Sequence, residues 1–317
     1  MEAKKLCYCV NNTWKESVSG AYSPVMNPST GEHIADAPIC TREEVEAAVA
    51  AARAAYPGWS AQPVAVRTQI LFRFRELVNE HFEELSVLLA TEMGKNLSES
   101  RGDVFKVIEA CELAVGAPLE LQGFAMMEAT SGHDTHLYRE SVGVFLGIAP
   151  YNFPAMIPFG WFIPPCIVAG NCMVLKAATL VSQTGMRLLE LLIEAGLPEG
   201  VVTLVTCSRE ELGGLIGHAN IDGVSFVGSE SVSKKIYGQA AQAGKRVQAL
   251  TEAKIMPWCL RTRHSNGRPG HQRLAQGVCG RMDRQRARAG RGNGAGRTQL
   301  RARRFGKRLF RGADHSG

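Results

Sequence analysis

"NCMVLKAATLVSQTGMRLLELLIEAGLPEGVVTLVT", residues 171–206, passes from strand to helix and back to strand. "NCMVLKAA" is a short apolar run bounded by polar residues, the pattern of a strand buried on both faces. "SQTGMRLLELLIEAG" changes to helical spacing and closes on Gly196, and "GVVTLVT" is apolar and β-branched again. The alternation continues. "REELGGLIGHA" reads as a short helix and "GVSFVGS" as a strand. "ESVSKKIYGQAAQAG" reads as a helix, and "KRVQALTEAK" opens another strand. Strands alternating with helices of this length predict a parallel, doubly wound α/β sheet.

Upstream, "NNTWKESVSGAYSPVMNPSTGEHIADAPI" is apolar pieces broken by Asn-Pro and Thr-Gly, predicting two or three small strands with tight turns. Thr41-Arg42-Glu43-Glu44 is a capping box: the Thr41 hydroxyl can accept from the Glu44 amide while the Glu44 carboxylate reaches back. The helix that follows is expected to end at Pro57-Gly58. Amphipathic helices are predicted at 63–80, 82–96 and 98–116, so the amino-terminal part is largely helical. "HDTHLYRESVGVFLGIAP", residues 133–150, reads as strand. Residues 142–170 carry no charge but hold Pro150, Pro154, Pro158, Pro164 and Pro165. That many prolines would leave backbone groups unpaired in lipid, so the stretch reads as a buried strand, a turn and a helix start.

The net charge of +6 averages two unlike populations. Residues 255–317 hold 15 Arg and Lys307 against Asp283 and Asp314, giving +14, and residues 1–254 sum to −8. The acidic part suits a cytoplasmic enzyme. The Arg/Gly-rich part has no apolar face to offset its ordering entropy and is expected to be disordered. The division expected is therefore 1–254 and 255–317. The nine cysteines form no C-x-x-C pair, which speaks for a reducing compartment and against a zinc site or disulfide framework.

Three features carry chemistry. Lys176 leaves the strand "NCMVL" at its carboxyl end, where parallel sheets bind ligands. Gly228-Ser229 joins a strand to a helix and would offer free amides to a phosphate. "GIAPYNFP", residues 147–154, places Asn152 between two aromatics after an uncharged strand, where a rigidly held amide in a dry site would serve as oxyanion donor. No G-x-G-x-x-G follows a strand, so a standard dinucleotide fingerprint is absent.

"GIAPYNFPAMIP", "VAGNCMVLK", "EAGLPEGVVTLV", "GVSFVGS" and "GKRVQALTEAK" occur in this order. With "YCVNNTW", "NPSTGE" and "PGW", they make residues 7–254 resemble the aldehyde dehydrogenases, and within them the CoA-acylating methylmalonate-semialdehyde branch. The resemblance implies an NAD-binding Rossmann-type domain of a larger, homo-oligomeric enzyme acting on a small aldehyde, with neither membrane nor specific nucleic acid as partner. It implies Ala149 and Tyr151 at the nicotinamide end, Asn152 as oxyanion donor and Lys176 on the adenosine ribose. Gly228 and Ser229 would meet the pyrophosphate, with Thr251 near the nicotinamide. In the family a Cys thiolate attacks the aldehyde, hydride passes to NAD, and coenzyme A takes the acyl group while a carboxylated substrate loses carbon dioxide. Leu250 stands where the hydrolytic branch keeps a Glu base, which favours the acylating branch.

There are departures. Thr179 replaces the Glu that helps grip the ribose, and Ser233 a second Gly near the cofactor. Lys106 stands where an Arg would grip a carboxylate with two bonds. The nucleophilic Cys is absent: roughly 30 residues past Lys254 stands Arg284, and "GVCGRM" around Cys279 does not resemble the family's turn. The family continues Ala-Lys-Asn-His. A coding run AAA AAT CAT GCC CTG GTG C, less one A, reads AAA ATC ATG CCC TGG TGC, which encodes residues 254–259 as they stand. The expectation is a chain truncated by a frameshift, with the catalytic domain missing and residues 255–317 translated out of frame. Two alternatives remain: a hydrolytic aldehyde dehydrogenase of another substrate class, and a non-catalytic dinucleotide-binding protein whose basic tail binds nucleic acid.

Overall fold

The computed structural model describes residues 3–251. The first strands are β1 (Lys4–Lys5), β2 (Tyr8–Val10), β3 (Thr13–Lys15), β4 (Tyr22–Met26) and β5 (His33–Pro38). Helices α1 (Arg42–Ser60), α2 (Val64–Glu80), α3 (Phe82–Met93), α4 (Leu97–Ala114) and α5 (Ala117–Glu120) follow, then the hairpin β6 (Phe124–Thr130) and β7 (His133–Leu137). The alternating part comprises β8 (Val144–Ile148), a π-helical turn (Ile157–Phe162) running into α6 (Ile163–Val168), β9 (Cys172–Lys176) and α7 (Ser182–Glu194). It continues with β10 (Val202–Val205), α8 (Arg209–Gly217), β11 (Gly223–Gly228), α9 (Glu230–Gln242) and β12 (Arg246–Thr251).

The main sheet has the order β12-β11-β8-β9-β10-β2-β3. The five strands from β12, at one edge, to β10 are mutually parallel, and β2 and β3 extend the sheet antiparallel at the other edge. The parallel, doubly wound part is as predicted. The antiparallel edge is not, because strands of three residues carry too little pattern to show where they pair. β8, β9 and β10 are almost wholly buried, which explains their unbroken apolar runs.

The capping box forms as read: the Thr41 hydroxyl accepts from Glu44 N at 3.3 Å, and Thr41 N donates to Glu44 Oε2 at 2.7 Å. Three corrections follow. Helix α1 runs through Pro57 to Ser60. Proline removes one amide, but Trp59 on the last turn is buried and donates Nε1 to Ile167 O at 3.0 Å, so tertiary packing carries the helix past it. Residues 133–150 are two strands of two different sheets: His133–Leu137 is an exposed arm paired with β6, and the sheet strand starts at Val144. The start of β8 is fixed by side chains far away in sequence. Asn171 Oδ1 accepts from Val142 N and Gly143 N, and Asp222 Oδ2 accepts from Val144 N at 2.8 Å and from Arg53 Nη2 at 2.6 Å. Helix α3 stops at Met93 because Gly94 turns left-handed, φ +76°, three residues before the expected end.

The uncharged stretch 142–170 folds as β8, a turn, the π-helical turn and α6, as read. Among the described residues no helix is long and apolar enough to cross a membrane. The expectations for residues 255–317, their division from the rest included, lie outside the described residues.

Candidate functional site

From β8 the chain steps to β9 and then β10 in one direction across the sheet. It then returns to place β11 on the other side of β8 and β12 beyond it. The order reverses between β8 and β11. At such a reversal the connections leave to opposite faces, which opens a crevice at the carboxyl ends of the two strands. Register sets what lies there. Ile148, the last residue of β8, pairs with Lys176 on one side and Phe226 on the other, and Gly228 pairs with Thr251. The expected positions Ala149, Tyr151, Asn152, Lys176, Gly228, Ser229 and Thr251 are thus all at, or within four residues of, the carboxyl ends of four neighbouring strands. Thr179, half-buried, lies in the short turn after β9.

Lys176 is half-buried and its ammonium makes no hydrogen bond to the described residues. Burial lowers its pKa, the nearby Cys207 opposes this and the Arg209 charge adds to it. A desolvated cation without a partner is stabilised by any hydroxyl or phosphate oxygen brought to it. On the other side of the reversal, Ser229 is the extended N-cap of α9, φ −67° and ψ 150°, and its side chain caps no amide. Its Oγ lies 3.4 Å from Ser231 Oγ. Ser229 therefore does not give α9 the cap that Thr41 gives α1 and Asn96 gives α4. The α9 amino terminus, which also carries Glu230, keeps the dipole that attracts an anion. Gly228 must be small. A Cβ there would stand 2.4 Å from Phe226 Cζ, and that ring is buried. Phe226 beneath the glycine was not singled out from sequence, since "GVSFVGS" shows the glycine but not what fills the space under it.

The Asn152 side chain is exposed and makes no hydrogen bond to the described residues. Lys106 is exposed and ion-paired with Glu109, one turn along the same helix. Leu250, in the expected place of a base, is 36% exposed and lines an open apolar cleft of about 500 Å³ with Gly160, Trp161 and Gln248. Leu250 cannot accept a proton from water, and the carboxylate that lines the same cleft is that of Glu120. Among the described residues the buried hydroxyl of Ser233 has no hydrogen-bond partner.

A protein-family model, the aldehyde dehydrogenase family, matches residues 14–256. The chain belongs to the aldehyde dehydrogenase family. It is 43% identical over 252 residues to malonate-semialdehyde dehydrogenase 1 of Geobacillus thermodenitrificans, covering 78% of this chain and 52% of that protein. Among solved structures it superposes on a Sinorhizobium meliloti protein assigned as a methylmalonate-semialdehyde dehydrogenase and complexed with NAD. There the TM-score is 0.77 and the identity 34%, over 80% of this chain and 51% of the other. It also matches the methylmalonate-semialdehyde dehydrogenase of Oceanimonas doudoroffii, with TM-score 0.76 and 35% identity over 79% of this chain and 51% of that one. The aldehyde dehydrogenase chain described here thus has the family's mixed α/β fold, and it spans about half the length of the curated relatives it matches.

Proposed function

We propose that this chain carries the NAD site of a CoA-acylating malonate- or methylmalonate-semialdehyde dehydrogenase. The observation that carries the reading is the reversal of strand order between β8 and β11, which gathers the candidate residues at one crevice. The relatives' names and the NAD complex of the Sinorhizobium protein support the choice of cofactor and substrate class. When bound, NAD would supply a hydride acceptor. The chain's own residues have separable tasks. Lys176 holds a ribose hydroxyl, the α9 amino terminus and Gly228 admit the pyrophosphate, and the Ala149–Asn152 turn meets the nicotinamide end. Leu250 stands where the hydrolytic branch keeps its base, which favours coenzyme A as acyl acceptor over hydrolysis.

The chain itself is proposed to be inactive. Burial pushes the thiols of Cys9, Cys40, Cys111 and Cys172 up to about 12 and that of Cys207 up to about 11, and it also raises Cys7 and Cys166. A nucleophilic cysteine needs the opposite shift. Cys279 lies outside the described residues. With malonate semialdehyde, coenzyme A and NAD, no NADH is expected at 340 nm; sustained NADH production would refute the inactivity. The out-of-frame reading of residues 255–317 rests on codon arithmetic alone, and sequencing the gene across codons 254–259 tests it. An intact AAA ATC with no neighbouring deletion or in-frame continuation would end it.

A further inference from the structure

Behind the Asn152 turn lies a buried ion pair that none of the roles above uses. Asp103 on α4 is fully buried and Lys95 nearly so, their side chains 0% and 13% exposed, with Nζ 2.8 Å from Oδ2. Each partner has a second contact, and both contacts fall on the same turn. Asp103 Oδ1 accepts from Met156 N at 2.7 Å, and Lys95 Nζ stands 3.8 Å from the centre of the Phe153 ring. Asn152 immediately precedes the ring so held. Lys95 is itself placed by its neighbours, between the left-handed Gly94 and Asn96, whose side chain caps α4 at Glu99 N. Two charges taken out of water cost more than their attraction returns unless further bonds satisfy them. Here those bonds tie α4 to the chain on the carboxyl side of Asn152.

We propose that Lys95 and Asp103 are positioning residues, which clamp Phe153 and Met156 and so hold the Asn152 turn in place for the nicotinamide end of the cofactor. The last clause rests on the NAD reading; the clamp does not. Asp103 fixes the backbone through one amide. Lys95 fixes the ring through its charge, an interaction worth about tenfold in a local equilibrium when desolvated. Asn152 itself makes no hydrogen bond to the described residues, so its place depends on what holds the residues after it.

The test uses the full chain and the variants Lys95→Met, Asp103→Asn, Phe153→Leu and Lys95→Arg. Native-state chymotrypsin cleavage after Tyr151 reports opening of the turn, and Pro154 blocks cleavage after Phe153. We expect Lys95→Met, Asp103→Asn and Phe153→Leu to speed cleavage after Tyr151 about tenfold, and Lys95→Arg to restore part of the protection. Cleavage after Tyr138 and Tyr237, both exposed and on other elements, should not change, whereas general loosening would speed all three. Phe153→Leu leaves the buried pair intact and keeps the proposal testable if the other variants fail to fold. An unchanged rate after Tyr151 overturns the clamp. Calorimetry with NAD and with ADP-ribose then tests the link to the cofactor. The variants should weaken NAD about tenfold and ADP-ribose not at all. Equal losses for both overturn the positioning role, and a wild-type chain that binds neither overturns that role and the NAD reading together.

Discussion

Glutamine in place of Glu92 is expected to gain about 3 kcal/mol on the wild type between pH 4.5 and pH 7.5 in urea unfolding. Glu92 is 2% exposed, and burial pushes its carboxyl up to about 7 from 4.5. It accepts from Gln183 N at 3.0 Å and Thr184 N at 2.9 Å, capping α7 from α3 because the N-cap residue Val181 cannot. Those bonds favour the carboxylate, but desolvation outweighs them. A carboxyl whose folded pKa is raised holds its proton more tightly in the folded state, so stability falls as pH rises from the unfolded pKa to the folded one, and is flat beyond. Glutamine has no such dependence. The wild-type advantage should therefore be greatest near pH 4.5 and smallest above pH 7. Parallel stability curves for the two proteins would show that Glu92 is not desolvated as the structure has it.

Alanine in place of Gly200 is expected to destabilise the chain by about 3 kcal/mol or more, the combined effect of a left-handed backbone and an immovable neighbour. Gly200 has φ +77°, and a Cβ there would stand 2.7 Å from Ala51 O and 2.9 Å from Ala55 Cβ. Ala51 O belongs to the backbone of α1 and cannot turn aside as a flexible side chain would. α1 packs on β8, β9, β10 and β2, so a shift of α1 is felt across the sheet. A urea midpoint within error of the wild type would contradict the close approach of the loop before β10 to α1.

How much of this was legible in the sequence depends on which physical signal each feature leaves. The βα alternation from residue 171 onward is written in periodicity, and it placed every strand of the parallel core from β9 to β12. The Thr41 capping box is a four-residue signal and formed as read. Pro57 misled because a local rule for ending helices says nothing of Trp59, which is paid for by packing on α6. The break between His133–Leu137 and Val144–Ile148 was missed because both halves have strand composition and only the partners differ. At the candidate site, Lys176, Gly228 and Ser229 stood out as strand-end residues. The order reversal that unites them is a property of pairing and leaves no local trace. Lys95 and Asp103 act from outside the motifs, and Phe226 inside one gives no local sign of its place under Gly228, so only the folded chain shows what they support.

The crevice at the β8/β11 reversal is proposed to bind NAD. Calorimetric titration of the full chain with NAD tests it most directly. The account predicts saturable one-to-one binding, weakened about tenfold by Lys176→Met through loss of a charge-assisted hydrogen bond. It predicts further weakening by Gly228→Ala, whose Cβ would displace the Phe226 ring. No saturable binding at millimolar NAD, or binding that neither substitution alters, would contradict it.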